Sequence, residues 1–168
     1  MWAATWLYMA TKKSIYMKYI QEEAISASVA EFSWDLKYAG VQVLLTQLHF
    51  EGKKGLETFK AHGESYICSV LPDSPYHQIN LTPGKLHVHF YLYLIRTFTC
   101  IINIFIHDYE GGFIHMRDGA NTQYATSTSF LFTVYSDLLA KYNQKVNCGN
   151  KEFDSAHLLD FAKKQVSI

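Results

Sequence analysis

The sequence predicts an all-α protein built from stacked helical hairpins, as in an α/α solenoid or barrel. Two observations carry this prediction. Apolar residues recur at helical spacing through most of the chain, and short polar or glycine-rich loops separate these periodic stretches. A chain of 168 residues can bury the core of one compact domain, so residues 1–168 are interpreted as a single domain.

The apolar periodicity places six helices. In the first, Trp2 and Trp6 share a face because they are four residues apart. Ser14 is a candidate cap for the second. The predicted helices cover residues 2–11, 14 to about 30, 38–48, 56–70, 122–141, and about 154 to the end of the chain. Their predicted core positions are Ile15, Tyr19 and Ile20 in the second helix, Tyr38, Val41, Leu44, Leu45 and Leu48 in the third, and Leu56, Phe59, Tyr66, Ile67 and Val70 in the fourth.

Residues 85–110 break this pattern with a run of Ile, Leu, Phe and Tyr that has no helical period. Three interpretations stay open on the residues alone. The run could be a transmembrane span through 90–106, but Arg96 inside it would cost about 2.5–3.5 kcal/mol on insertion scales. It could be a buried β-hairpin, although no turn signal divides it. It could also be a foreign insertion in a helical protein.

The balance of charged residues disfavours two classes of binding partner. Lys plus Arg number 15 and Asp plus Glu number 15, so the charge predicts no binding to nucleic acid or to anionic lipid. The aromatic content is unusual, with Tyr 12, Phe 11 and Trp 3. Aromatic side chains fill cores, and they also stack on the apolar faces of sugar rings. No signal peptide is predicted, because Lys12 and Lys13 soon follow the apolar start.

Motifs for metal, cofactor and thiol chemistry are weak. His87 and His89 would share one face of a strand, but no third ligand follows at a defined spacing. Neither a metal nor a cofactor is therefore predicted. Cys68 lies at an apolar helix end and is expected to be a buried structural thiol. Asn80 opens a glycosylation sequon that matters only if the chain enters the secretory pathway.

The carboxylates show no pair framed as a catalytic site. Asp118 is the most site-like of them, yet a turn residue or a local pair with Arg117 is the favoured interpretation, because Asp-Gly is a common turn dipeptide. The chain also has no G-x-S-x-G elbow, no phosphate-binding loop and no Gly-rich dinucleotide turn. The residues alone therefore leave the reaction class open.

Seven stretches of the chain, read in order, resemble the plant endo-β-1,4-glucanases of glycoside hydrolase family 9. Their order is that of the family, and they cover nearly all of the chain outside the apolar segment. They are WAATWLY at 2–8, EFSWDLKYAG at 31–40, YICSVLP at 66–72, TPG at 82–84, GFIHMRDGANTQYATSTSFLFTVYSD at 112–137, CGN at 148–150 and LLDFAKKQV at 158–166.

The resemblance implies part of an (α/α)6 barrel with alternating inner and outer helices, interrupted by an atypical apolar insertion at about 85–111. It also implies hydrolysis of internal β-1,4-glucosidic bonds of cellulose with inversion. In the family, aromatics at the cleft end stack on glucosyl units, and a strip matching 117–124 lines the cleft. Many members carry Trp and Arg where this chain has Gly119 and Gln123. The implied substrate-binding residues are Trp2, Trp6, Trp34, Arg117, Asn121, Gln123 and Tyr124.

The departures from the family concern the chemistry. The family's catalytic base lies in an N-terminal Asp-Ala-Gly-Asp motif, and its acid is a Glu in a C-terminal segment; neither matches a residue of this chain. We therefore expect an internal part of an endoglucanase catalytic domain, a cellulase-type glycosidase by kinship that is inactive alone. The alternatives are a non-catalytic glucan-binding remnant and a single-span membrane protein through 90–106.

The resemblance also offers an explanation of the apolar segment. In relatives Thr-Pro-Gly is followed at once by Gly, so Gly84 and Gly112 would join directly if residues 85–111 were removed. We interpret the segment as a translated intron, whose removal would delete Cys100 and leave Cys68 and Cys148. The family further implies β-1,4-glucan as the partner, and an extracellular or cell-wall location, although no signal peptide is predicted for this chain.

Overall fold

The structure is a computed structural model that describes residues 1–24, 28–82, 111–118 and 121–166. Within these ranges the fold is mostly helical, as predicted, with six helices and one two-stranded sheet. The elements are α1 (Trp2–Thr11), α2 (Ser14–Glu22), α3 (Tyr38–Phe50), α4 (Glu57–Val70), α5 (Asn121–Tyr142), β1 (Val146–Cys148), β2 (Lys151–Phe153) and α6 (Ser155–Val166). The predictions for His87, His89, Arg96, Cys100, Gly119 and residues 90–106, and nearly all of the 85–111 segment, lie outside the described residues.

Most helix boundaries agree with the sequence prediction. For example, α4 ends at Val70, and Leu71 is extended with ψ 123°, as expected for a residue that precedes a proline. The second helix is the exception, because α2 already ends at Glu22 and residues 28–30 are not helical. Ser14 is also the first helical residue rather than the cap; the cap position is Lys13, which makes no side-chain capping hydrogen bond.

The predicted core face of α2 is wrong at two of its three positions. Ile20 is completely buried, but Ile15 is 67% exposed and Tyr19 is 46% exposed. The reason is that α2 packs mainly against α1, so only a narrow stripe of this nine-residue helix is covered. Ile15 and Tyr19 are four residues apart and lie together on the neighbouring, uncovered face.

The helices pack in consecutive pairs, α1 with α2, α3 with α4, and α5 with α6, and α3 also contacts α1 and α5. This central position gives α3 two apolar faces. Val41, Leu45 and Leu48 join a cluster with α1 and α2. Ala39 and Val43 join a larger cluster formed by α4, α5, α6 and the sheet. α3 therefore connects the two halves of the core.

The β1–β2 hairpin was missed by the all-α prediction. Val146 pairs with Phe153 and Cys148 with Lys151, and the two-residue turn between the strands contains Gly149 at φ 65°. Val146, Cys148 and Phe153 point into the main core. Three-residue strands are too short to show a clear period-two pattern, so hydrophobic periodicity could not reveal them.

Candidate functional site

Trp34 is the most exposed of the chain's described large apolar side chains, at 73%. It lies in a tight turn, residues 33–36, between the loop that follows α2 and the start of α3. The Ser33 amide donates to the Leu36 carbonyl at 3.2 Å, and the Lys37 ammonium donates to the Ser33 carbonyl at 2.6 Å. These bonds fix the backbone on both sides of Trp34, so the indole is displayed on an ordered turn.

The Ser33 hydroxyl also ties the turn to a carboxylate. It donates to Asp35 Oδ1 at 2.7 Å, and the same carboxylate oxygen accepts from the Leu36 amide at 3.1 Å. The Ser33 hydrogen bond is the main reason that the pKa of Asp35 lies below its ordinary value, because it favours the ionised form. Asp35 is therefore an anchor of the turn in its charged state, because its hydrogen bonds outweigh the partial desolvation that would raise its pKa.

Phe32 anchors the turn in the protein interior. Its ring is 6% exposed and lies against the backbone of Gly40, where a Cβ atom would come within 2.7 Å of the ring. The Trp2 ring reaches the same point, since that Cβ atom would be 2.8 Å from it. Trp2 and Trp6 are in edge contact with centroids 5.7 Å apart, and Trp6 remains 47% exposed. Trp2 is thus packed against the core, whereas Trp6 and Trp34 are more exposed.

Arg117 brings the second half of the site to the Trp34 turn. Its guanidinium lies 3.1 Å from Glu31, 86 residues away in sequence, and 5.2 Å from the centre of the Tyr124 ring. Tyr124 lies in the first turn of α5 and is nearly buried, whereas the Arg117 side chain is 60% exposed. A cation–π contact and an ion pair therefore hold Arg117 while its remaining N–H groups stay open to solvent.

Asp118 takes one of its two predicted roles, that of a turn residue, and not the other. Arg117 pairs with Glu31 and not with Asp118. The Asp118 side chain is fully exposed and lies 3.3 Å from the His115 imidazole. Two exposed groups at this distance contribute little to stability, so Asp118 is the residue of a surface bend.

Asn121 and Gln123, the remaining predicted substrate-binding residues, lie in the first turn of α5. The Asn121 side chain faces inward: its amide donates to the Ile114 carbonyl at 2.7 Å and accepts from the Met116 amide at 2.9 Å. Gln123 is half-buried, and its backbone carbonyl accepts from Thr126. Among the predicted substrate-binding residues, Trp34 and Arg117 therefore have the most exposed side chains where the turn at residues 33–36 meets the strip at 117–124.

Sequence reasoning missed three residues that shape this surface. Glu31 appeared only as one of many scattered carboxylates, and Ser33 and Gln165 were not singled out. The Gln165 amide bonds to the backbone of residues 112 and 114, more than 50 positions earlier. No local pattern marks such long-range partners, because their spacing in sequence reflects only how the chain folds.

Cys68 is buried and structural, as expected, but its sulfur is oxidised. It forms a disulfide with Cys148, 80 residues later, with the two Cα atoms 5.5 Å apart. The bond joins α4 to β1, and both residues are buried. Asn80 has an exposed side chain, while its carbonyl accepts from the His115 amide at 2.8 Å. Across the described ranges, no cluster of three or more His, Cys, Asp or Glu is arranged to hold a metal ion. No helix there is long and apolar enough to cross a membrane.

Comparisons with known proteins agree with the resemblance. The family model described as Glycosyl hydrolase family 9 matches residues 1–168. The chain is 52% identical over 165 residues to Endoglucanase 16 of Arabidopsis thaliana, covering 98% of this chain and 28% of that protein. It is 48% identical over 166 residues to Endoglucanase 8 of Oryza sativa subsp. japonica, covering 99% and 28%. It is 36% identical over 168 residues to an endoglucanase of Phaseolus vulgaris, again covering 99% and 28%. The chain thus spans 28% of the length of these curated relatives.

Proposed function

The chain belongs to glycosyl hydrolase family 9, and we propose that it forms a glucan-binding part of an endoglucanase that hydrolyses internal β-1,4 bonds of cellulose. The names of its relatives support the activity. The observation that carries the binding role is the pairing of an exposed Trp34 on a fixed turn with a fixed, half-open Arg117. An indole can stack on the apolar face of a glucosyl ring, and a guanidinium can donate to its hydroxyl groups.

The fixed turn favours binding because it limits the entropy lost on association. A Trp side chain has few rotatable bonds, and the Ser33 and Lys37 hydrogen bonds already hold the backbone at Trp34. Arg117 is likewise held by Glu31 and Tyr124 before any ligand arrives. A glucan chain would therefore meet two contact groups whose positions are already set.

Cleavage of the glycosidic bond needs a catalytic acid and a catalytic base, and the family's acid and base match no residue of this chain. An inverting glycosidase uses two carboxyl groups about 6.5–9.5 Å apart. We propose that residues 1–168 contribute substrate contacts and not the acid or the base. The isolated chain is accordingly expected to bind glucan and to release no reducing sugar from carboxymethyl cellulose. Measurable release by the pure protein would contradict this part of the proposal.

Binding is tested with cellohexaose and the full chain, by calorimetry or affinity electrophoresis. Trp34→Ala should weaken binding about tenfold or more, because it removes an apolar stacking surface whose burial is worth ~1.5–3 kcal/mol. The matched control is Phe130→Ala, which removes a 61% exposed aromatic from α5. Equal affinities of the Trp34 and Phe130 variants, or no binding by the wild type, would overturn the proposal.

We further propose that the described helices form part of an (α/α)6 barrel. The contacts of α1 and α5 with α3 support this, because they place α1, α3 and α5 in one layer flanked by their partners. α3 has no exposed residue, whereas α2 buries only Ile20. Helices buried all round belong inside a barrel, and amphipathic ones outside it. Small-angle scattering of a polypeptide as long as a curated relative would test the closed shape.

The insertion at 85–111 is also a proposal, and the geometry at its ends supports it. The Gly112 amide donates to the Thr82 carbonyl at 2.8 Å, and the Thr82 amide donates to the Phe113 carbonyl at 2.7 Å. If residues 85–111 were absent, Thr82, Pro83, Gly84 and Gly112 would be consecutive. The first bond would then join positions i and i+3 of a β-turn with Pro at i+1 and Gly at i+2, the preferred sequence of a type II turn.

This proposal predicts that a variant lacking residues 85–111 folds as stably as the full chain. The control lacks 83–111, so that Thr82 meets Gly112 directly and no turn can form between them. Urea denaturation should separate the two deletions clearly. Equal loss of stability in both would contradict the turn. A transcript that keeps the segment in several tissues would contradict the translated-intron interpretation.

An extracellular or cell-wall location remains a proposal, supported by the Cys68–Cys148 disulfide. Disulfides form and persist in oxidising compartments and are rare in the cytosol. The exposed side chain of Asn80 is compatible with glycosylation of its sequon. Expression through a eukaryotic secretory pathway, followed by glycosidase treatment, should give a mass shift that Asn80→Gln abolishes. The absence of a shift in the wild type would remove Asn80 as a modified site.

A further inference from the structure

The extended segment 112–116, which leads directly into Arg117, has an unusual set of backbone partners. One edge pairs with residues 80–82, through the antiparallel bridge of Leu81 with Ile114. The partners on that edge are backbone groups of Asn80 and Thr82 together with the Thr82 hydroxyl. Within the described residues the other edge pairs with no strand, yet its N–H and C=O groups still have hydrogen-bond partners.

Two side-chain amides occupy that second edge. The Gln165 amide donates to the Gly112 carbonyl at 2.9 Å and accepts from the Ile114 amide at 2.7 Å. The Asn121 amide takes the next pair, the Ile114 carbonyl and the Met116 amide. Each carboxamide thus bonds to the carbonyl of one residue and the N–H of the residue two further on. A single residue of a parallel neighbouring strand makes the same pair of bonds with its own N–H and C=O.

These contacts link α6 to segment 112–116 and so to Arg117. Gln165 lies in the last turn of α6 and is 5% exposed, and Ile114 between the two amides is completely buried. Removal of the Gln165 amide would leave the Gly112 carbonyl and the Ile114 N–H without their partner in a buried place, which is unfavourable. The segment would then be free to shift, and Arg117 would shift with it.

Resting on the proposed glucan-binding function, we infer that Gln165 and Asn121 are positioning residues that hold segment 112–116 and thereby place Arg117 for contact with the sugar. Asn121 then acts through the backbone and not through its own contact with substrate, since both polar atoms of its amide are engaged. Gln165 lies in α6 and is not among the proposed sugar contacts, so it too acts through segment 112–116.

The experiment measures cellohexaose affinity of the full chain and of the Gln165→Met, Arg117→Ala and double variants. Gln165→Met keeps the shape of the side chain and removes both hydrogen bonds. It should weaken binding by about the same factor as Arg117→Ala, on the order of tenfold for a lost charge-assisted hydrogen bond. In the Arg117→Ala background it should have no further effect, because both changes remove the same contact.

The matched control is Ser136→Ala, which removes the buried hydrogen bond from Ser136 to the Ser155 carbonyl, 2.7 Å, at the opposite end of α6. It loosens the same helix pair without touching segment 112–116. Gln165→Met that binds as tightly as this control, or that adds fully to Arg117→Ala, would overturn the inference. Absence of binding by the wild type would instead overturn the proposed function.

A conservative variant gives a second readout. In Gln165→Glu the ionised carboxylate can accept from Ile114 but repels the Gly112 carbonyl, whereas the protonated acid can make both bonds. The affinity deficit of this variant relative to the wild type should therefore shrink as the pH falls, while that of Gln165→Met stays constant. A deficit of Gln165→Glu that does not change with pH would contradict the two-bond clamp.

Discussion

Reduction of the Cys68–Cys148 disulfide is expected to lower the free energy of unfolding by about 4.5 kcal/mol. The bond closes a loop of 80 residues, and the chain-entropy relation gives ~4–5 kcal/mol for a loop of that length at 25 °C. Both cysteines are buried in the main core. The loss is therefore expected to come chiefly from the greater freedom of the unfolded chain.

A change of this size is a large part of the total stability of a domain, which is typically about 5–15 kcal/mol. The assay is urea denaturation with and without a reductant, followed by circular dichroism. With an m-value of roughly 2 kcal/mol/M, the midpoint should fall by about 2 M. The measurement is best made in a Cys100→Ala background, so that no third thiol can exchange with the bond.

The control is the Cys68→Ala, Cys148→Ala double variant, whose midpoint should lie near that of the reduced protein and ignore the reductant. A midpoint that moves by less than the equivalent of about 1 kcal/mol on reduction would refute the loop-entropy reasoning. Peptide mapping of the oxidised protein gives an independent check, since a Cys100 peptide in the cross-link would refute the pairing itself.

Two further predictions concern the Trp34 turn and its anchor. Gly40→Ala should destabilise the fold by about 1–2 kcal/mol, because crowding of the Phe32 and Trp2 rings outweighs a helix-propensity gain of at most ~1 kcal/mol. Thermal denaturation measures this loss of stability. An unchanged or raised midpoint would show that the rings can move aside. The Asp35 carboxyl, titrated by NMR, should have a pKa below 3.8 that rises in Ser33→Ala, since the Ser33 hydroxyl favours the carboxylate. Because the pKa of Asp35 is lower in the folded state, its ionisation stabilises the fold fully above its unfolded-state pKa, and this stabilisation is lost as the pH falls through its folded-state pKa. An Asp35 pKa that is the same in Ser33→Ala would contradict the assigned role of the Ser33 hydroxyl.

The helices were predictable because their signals are local. α3 and α4 show apolar residues at helical spacing, and Pro72 marks the end of α4. Ile15 and Tyr19 show the limit of the same reasoning. Periodicity identifies an apolar face, but whether that face is covered depends on which helices pack beside it, and α2 has one principal neighbour.

The candidate site was predictable only in part. Trp34 and Arg117 came from the family resemblance, and the structure places their two segments side by side through the Glu31 ion pair. Glu31 and Gln165 had no local signal. A buried glutamine that replaces a strand neighbour looks in the sequence like any polar residue near the end of an amphipathic helix. Such a role depends on contacts made only after the chain has folded.

The Glu31–Arg117 pair joins the two segments of the surface, yet it is too weak to be what assembles them. Its arginine side chain is 60% exposed, and an exposed ion pair typically contributes ~0–1 kcal/mol. The buried contacts on either side are stronger candidates. Phe32 fixes the turn against α3, and the contact of Ile114 with Gln165 fixes segment 112–116 against α6. The core therefore sets the distance between Trp34 and Arg117, and the ion pair only selects how the guanidinium points within that frame.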